Sequence, residues 1–154
     1  MIMKLQKEKL YIDLVPSSSW YNNLRDILKK EEWDIIRKKA YKVAGNKCRI
    51  CGGKGKKHPV EAHERWSYDE NTKIQKLERV VALCPMCHLS SHYGFAQIKG
   101  KEKLVRTHLM KINNWNEEYL DLHLEVAFED YYRRSNYKWE LDISIVPLLL
   151  NIEV

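Results

Sequence analysis

The stretch Leu83–His92, LCPMCHLSSH, decides the fold, because it places four potential metal ligands within one short segment. The ligands are Cys84, Cys87, His88 and His92. If all four bind one ion, the segment is part of a structural module. If they serve two ions, one of those ions is available for catalysis.

The two cysteines of this stretch have a matching pair upstream. CRIC (Cys48, Cys51) and CPMC (Cys84, Cys87) are C-x-x-C motifs with 32 residues between them. Each motif brings two thiolates together from one tight turn, and two such turns complete the four-sulfur shell that is typical of zinc. The sequence therefore predicts one structural zinc ion, with an intervening segment that has structure of its own.

The two histidines of the stretch are four residues apart, so on a helix both rings project from one face. Cys87 lies about 100° around that helix from His88 and faces elsewhere. If the cysteines hold zinc, His88 and His92 are free for a second site, and His63 in VEAHERW is a third candidate. Two alternatives remain open: chance surface histidines, and a variation in zinc ligation at Cys87 and His88.

Composition limits the class of protein. The 154 residues fit one domain, 1–154, and the net charge of +6 with a pI near 9.1 favours an anionic partner, nucleic acid first. Simple solubility charge is the alternative reading. No apolar run is long enough to span a membrane, and the N-terminus is too charged for a secretory signal. We therefore expect a cytoplasmic protein whose cysteines are ligands and not disulfides.

Hydrophobic periodicity predicts helical flanks at 17–44 and 101–135 around a metal-rich core at about 45–95. Within the first flank, we expect a helix capped by the serines at 17–19 and a second helix over Glu31–Ala44, which Gly45 ends. Within the second, we expect helices over Lys101–Ile112 and Asn116–Ser135. Two strands are also expected, at Tyr11–Val15 (YIDLV) and in the terminal WELDISIV, and these would pair with each other.

The segment from Cys48 to His92 resembles the HNH endonuclease family, whose ββα-metal motif is often held by a four-cysteine zinc site. The matching pieces occur in order: Gly45, CRIC, His63 in EAHERW, and LCPMCHLSSH. The similarity to small bacterial and phage HNH-like proteins extends to LVPSSSWYNNLRDIL, HLMKINNW and WELDIS, and so covers nearly the whole chain. The resemblance implies an α+β fold with a treble-clef, ββα-metal core between the helical flanks.

The resemblance also implies a function, which is metal-dependent hydrolysis of phosphodiester bonds in DNA. His63 would be the general base that activates water. His88 and His92 would hold a divalent cation such as Mg²⁺, Mn²⁺ or Ni²⁺ against the scissile phosphate. Cutting both strands of a duplex would favour a dimer, whereas a nicking enzyme can act alone.

The chain departs from the usual family pattern at two positions. Ala62 stands where a further metal ligand often precedes the base, and Arg79 stands where the family usually has asparagine. Arg79 is predicted to clamp phosphate with its guanidinium fork. Glu64 is a candidate replacement ligand, as is Asp69, and in that case His63 itself would bind metal.

Four basic residues flank the motif and are expected to follow a phosphate backbone: Lys54, Lys56, Lys57 and Arg65. Solvated loop charge is their alternative reading. Three functional hypotheses follow for the chain. It is a DNA endonuclease, a non-catalytic zinc module that binds nucleic acid or protein, or a structural zinc protein of a larger assembly.

Overall fold

The computed structural model describes residues 7–153, which form a mixed α+β fold with a small three-stranded sheet. A 3₁₀ turn at Ser17–Ser19 precedes the first helix. The helices are α1 (Leu24–Ile27), α2 (Lys30–Val43), α3 (Pro85–Ser91), α4 (Tyr93–Ile98), α5 (Glu102–Asn113), α6 (Glu117–Arg134) and α7 (Val146–Asn151). The strands are β1 (Glu61–Asp69), β2 (Ile74–Leu83) and β3 (Glu140–Asp142). No helix within the described part is long and apolar enough to cross a membrane.

The centre of the fold is a hairpin of β1 and β2, which α3 follows directly. The strands pair antiparallel from Glu61 opposite Leu83 to Asp69 opposite Ile74, with a bulge between Arg65 and Trp66. At the turn, the Asp69 side chain accepts two backbone N–H bonds, which fixes the reversal. This strand–strand–helix unit places the residues of β1 beside those of α3.

The third strand corrects the predicted pairing of the two ends of the chain. β3 pairs with β2, in parallel, with Ile74 opposite Glu140 and Lys76 opposite Asp142. The segment at 11–15 forms no strand. Ile12 of this segment and the preceding Leu10 are buried in the core without regular secondary structure. The expected terminal strand pair is therefore wrong. Only three residues of WELDISIV form a strand before α7 begins, and they pair with the free edge of β2 instead.

Two apolar clusters cover the sheet. The first lies between the end of β2, the N-terminal segment and helices α4 to α6, and its aliphatic and aromatic members are Leu10, Ile12, Ile50, Val81, Leu83, Tyr93, Ala96, Val105, Leu109 and Leu120. The second lies between the sheet, α1, α2 and α7, and consists of Leu24, Ile36, Leu77 and Val146. Cys48, Cys84 and Cys87 belong to the first cluster, so the cysteine site is part of the main core.

The predicted helices are confirmed, except for the first. Asn116 accepts a bond from the Tyr119 N–H and begins α6 as its N-cap. Gly45 follows α2 with a φ of +62°, the conformation that ends helices with glycine. The helix expected after the serines is broken into the 3₁₀ turn and the four-residue α1, whose N-cap is Asn23 and not a serine.

Candidate metal centres

The four cysteines form one cluster. The sulfur atoms of Cys48, Cys51, Cys84 and Cys87 all lie within 4.8 Å of one another, and Cys51 Sγ is 3.7 Å from Cys84 Sγ. All four are free thiols and none is exposed. The cluster therefore has the donor set, the count and the spacing of a four-coordinate zinc site.

Local backbone geometry holds the sulfurs in place. In the first motif the N–H groups of Ile50 and Gly53 point at Cys48 Sγ and Cys51 Sγ, at 3.4 and 3.3 Å. Gly52 turns the chain with a φ of +74°, which a side chain would strain. In the second motif the Cys87 N–H lies 3.4 Å from Cys84 Sγ, at the start of α3. Such N–H groups stabilise negative charge on sulfur.

The electrostatics of the cluster favour a bound cation. Hydrogen bonds from Cys84 and Cys87 lower the pKa of the Cys48 thiol. The same contacts raise the pKa of Cys84 to about 11 and raise that of Cys87 as well, because a second thiolate beside the first is repelled. Four thiolates at this distance require a compensating cation, and a divalent ion with sulfur affinity, such as zinc, supplies it.

A histidine outside the motifs touches the cluster. His108 Nε2, on α5, is 3.1 Å from Cys87 Sγ. The sequence interpretation assigned no role to His108, and its position on a separate helix left no spacing signal. The contact places His108 beside a candidate ligand sulfur, which is the usual position of a residue that orients a metal ligand.

The three histidines form a second, separate cluster. Candidate ligand nitrogens of His63, His88 and His92 all lie within 4.8 Å of one another, and the three ring centroids are 4.7 to 5.2 Å apart. His88 Nε2 faces His92 Nε2 at 3.1 Å. The stretch LCPMCHLSSH is thus divided as its helical spacing predicts, with its cysteines in one cluster and its histidines in the other.

His63 is held by an acid that the sequence interpretation missed. His63 Nε2 donates to Asp13 Oδ2 at 2.9 Å, and Arg65 Nη1 donates to the same oxygen at 2.9 Å. His63 Nδ1 is buried and has no hydrogen-bond partner among the described residues. Burial raises the pKa of Asp13, but its bonds and charges with His63 and Arg65 outweigh this and lower it overall. Asp13 is therefore an ionised carboxylate that fixes the ring of His63.

A second carboxylate orients His88. His88 Nδ1 donates to Glu61 Oε2 in a short hydrogen bond, which leaves Nε2 as the acceptor that faces His92. This bond and a second one from His58 lower the pKa of Glu61 to about 2. Because alternate residues of a strand share a face, Glu61 and His63 lie together on β1. That period of two is a signal from which Glu61 could have been predicted.

The surroundings of His63 and His92 favour the neutral imidazole, which is the form that binds metals. Burial lowers the pKa of His63, against the opposing effect of Asp13. Burial and the neighbouring imidazoles lower the pKa of His92 to about 3. With His88 Nε2 and His92 Nε2 3.1 Å apart and His63 beside them, the three imidazoles offer a set of nitrogen donors that fits a divalent cation.

Glu64 is not part of this cluster, which corrects its assignment as a ligand. Its Oε1 accepts the backbone N–H of Leu24 at 2.7 Å, on the side of β1 opposite to His63. Burial raises the pKa of Glu64 to about 7. The prediction failed because neighbouring residues of a strand point to opposite faces. Asp69 is also elsewhere, in the β1–β2 turn.

The two arginines are engaged in ion pairs. Arg65 is 1% exposed and bonds Asp13 and the Lys9 carbonyl, so its assignment as a nucleic-acid contact is wrong. Arg79 is exposed, but its guanidinium makes two bonds to Glu8, from Nε at 2.5 Å and from Nη2 at 2.9 Å. As placed, Arg79 clamps a carboxylate.

Lys54, Lys56 and Lys57 are exposed in the loop that follows the first C-x-x-C motif. Gly55 of this loop lies against Pro85, the first residue of α3, so closely that an added Cβ would clash. The lysine loop is therefore anchored beside the helix that carries residues of both the cysteine and the histidine cluster.

A cleft of about 750 Å³ opens onto the histidine cluster. His63, His88 and His92 line it together with Asp13 and Glu64. Both faces of β1 reach the cleft because β1 is the edge strand of the sheet. A small molecule, or part of a larger one, can therefore reach the histidines from solvent.

In comparisons with known proteins, the chain matches no protein-family model, no curated protein and no solved structure.

Proposed function

We propose that this protein is a metal-dependent endonuclease of the HNH type that hydrolyses phosphodiester bonds in DNA. The observation that carries the proposal is the division of one ten-residue stretch between a four-sulfur cluster and a three-histidine cluster. The order of elements supports it, since a hairpin with His63 on β1 leads into a helix with His88 and His92 near its end.

The four-cysteine cluster is assigned a structural zinc ion. It lies in the main core, all four ligand positions are filled by protein sulfur, and closed sites of this kind hold chains together. The zinc ties the loop after α2 to the start of α3 and so positions His88.

His88 and His92 are assigned as ligands of a divalent cation such as Mg²⁺, Mn²⁺ or Ni²⁺. When bound, that ion would offset the charge that builds on the scissile phosphate and on the departing oxygen. Glu61 fixes the tautomer of His88, so that Nε2 is available as a ligand atom.

His63 is assigned as the general base. Asp13 holds the proton on His63 Nε2, and Nδ1 is therefore the nitrogen with a free lone pair. That nitrogen can take a proton from an attacking water, and the resulting imidazolium is stabilised by the Asp13 carboxylate. Arg65 keeps Asp13 ionised and in place.

The test is nicking of supercoiled plasmid by purified protein with added Mg²⁺, Mn²⁺ or Ni²⁺. We expect His63→Ala and His92→Ala to abolish nicking while each retains one zinc per chain, because neither residue belongs to the sulfur cluster. His123→Gln is the matched control, since His123 lies outside both clusters and accepts the Ile12 N–H. Wild-type protein that cuts with none of these ions would overturn the proposal, as would full activity of His63→Ala.

A non-catalytic zinc module that binds nucleic acid is the second candidate. Two observations favour it. Arg79 pairs with Glu8, and the side chain of Ala62 has no atom that can bind a metal, so two usual elements of the family's site are missing. DNA binding by the wild-type protein without cleavage under any metal would support this candidate.

A further inference from the structure

The cleft beside the histidines has an aromatic lining. Six aromatic side chains face it from five separate parts of the chain: Trp20, Trp33, Trp66, Phe95, Phe128 and Tyr131. Together they form an apolar surface much larger than a metal ion or a phosphate group requires. The lining therefore points to a flat, unsaturated part of a substrate.

Two of these rings are unusually open to solvent. Trp20 is 56% exposed and Phe95 is 53% exposed, and Ile98 beside them in the cleft is 83% exposed. Trp20 is nonetheless held in place, because its Nε1 donates to the Val15 carbonyl at 3.0 Å. Fixed and exposed aromatic rings at a cleft mouth are the features of a binding surface.

Positively charged side chains are scarce in the lining of the cleft, and one lies at its edge. Arg25 is the single lysine or arginine among the described residues that line it. Lys99 lies at the edge, with Nζ 5.3 Å from the centroid of the Phe95 ring. A lining with a single arginine offers little to a run of phosphates, whereas Lys99 at the edge can pair with one phosphate beside the cleft.

We propose that this cleft binds an unstacked nucleobase, and that the substrate is single-stranded or locally unpaired DNA. The base stacks on Trp20 and Phe95, the amides of Asn22 and Gln97 contact its polar edge, and the adjoining phosphate reaches the histidines. A base inside an intact duplex is stacked on both faces and cannot enter the cleft. The proposal rests on the nuclease function proposed above and specifies its substrate.

The test is binding of fluorescently labelled DNA in buffer without added divalent cation, which leaves the zinc in place and separates binding from cleavage. A short thymidine single strand and a blunt duplex of equal length are compared by anisotropy and by quenching of tryptophan fluorescence. We expect the single strand to bind at least about tenfold more tightly. Stacking contributes about 1–3 kcal/mol per base, so Trp20→Ala and Phe95→Ala should each weaken single-strand binding by about 5- to 150-fold.

Tyr119→Ala is the matched control, because Tyr119 is also 53% exposed but lies on α6 outside the cleft. Circular dichroism and zinc content verify that each variant is folded. Equal affinity for duplex and single strand, no binding of either DNA, or single-strand binding that neither Trp20→Ala nor Phe95→Ala weakens, would each overturn the proposal.

The two proposals fail separately. Aromatic-dependent preference for single strands, with no cleavage in any metal, would leave the cleft assignment standing and refute the nuclease. Metal-dependent cleavage of duplex DNA that is unchanged in Trp20→Ala and Phe95→Ala would refute the cleft assignment and leave the nuclease.

Discussion

Replacing Glu64 by glutamine tests whether this carboxyl is a neutral, buried hydrogen-bonding group or a metal ligand. Glutamine keeps the oxygen that accepts the Leu24 N–H and removes the ionisable proton. In the folded chain the pKa of Glu64 is raised from 4.5 to about 7 by burial. Ionisation at neutral pH is therefore easier in the unfolded chain than in the native one.

The sign and size of the effect follow from proton linkage. Between about pH 4.5 and 7 the native state binds more protons than the unfolded state, so this group makes stability fall as pH rises. The difference of about 2.5 pH units corresponds to a destabilisation of about 3 kcal/mol, which is absent below about pH 4 and complete above about pH 8. We expect Glu64→Gln to be more stable than wild type by about 3 kcal/mol at pH 8, and by only about 1 kcal/mol at pH 5.

The assay is urea unfolding of wild type and Glu64→Gln at both pH values, with zinc content measured on each sample. Taking the difference between the two proteins cancels the titration of the histidines, which is common to both. Glu125→Gln, at an exposed position on α6, is the control and should show no such pH dependence. A Glu64→Gln protein that is less stable at pH 8, or that no longer binds added Mn²⁺ at the histidine cluster, would refute the reasoning.

Three further predictions concern the two clusters. Cys84→Ser should lose the single tightly bound zinc and lower the unfolding temperature; full zinc by elemental analysis would contradict the sulfur cluster. His108→Gln should weaken zinc affinity about 10- to 100-fold in chelator competition, because it removes the contact to Cys87 Sγ; unchanged affinity would assign His108 no role at the metal. Asp13→Asn should destabilise the fold by about 3–5 kcal/mol in urea, since it leaves the buried Arg65 without its close ion partner; a cost below about 1 kcal/mol would show that Glu8 alone compensates.

Regular spacing explains which features could be predicted from the sequence. The C-x-x-C pairs and the His-x-x-x-His spacing are local patterns, and the structure places both sets in clusters as those patterns predict. α6 was equally predictable, because an N-cap asparagine precedes a long run of helix-forming residues. Each of these depends only on residues that are near one another in the chain.

The supporting residues depend on contacts between distant parts of the chain. Asp13 bonds His63 across 50 residues, and His108 reaches Cys87 across 21, so neither leaves a periodic signal. Arg65 was misassigned because arginine is usually exposed, and its burial depends on a carboxylate partner that only the fold provides. β3 lies within the predicted WELDISIV, but its partner was predicted wrongly for the same reason, since three residues of strand carry too little pattern to identify it.

The two clusters share one short helix, so removing one cluster can affect the position of the other. α3 has seven residues, which is too few to be stable alone, so its position depends on what is attached to it. Cys84 and Cys87 hold its beginning, while His88 and His92 lie towards its end. Loss of the sulfur cluster should therefore displace the histidines and abolish the proposed nuclease activity, although no cysteine is assigned a part in the reaction. Loss of His92 should abolish activity and leave zinc and fold intact, and this asymmetry separates a structural zinc site from a catalytic one.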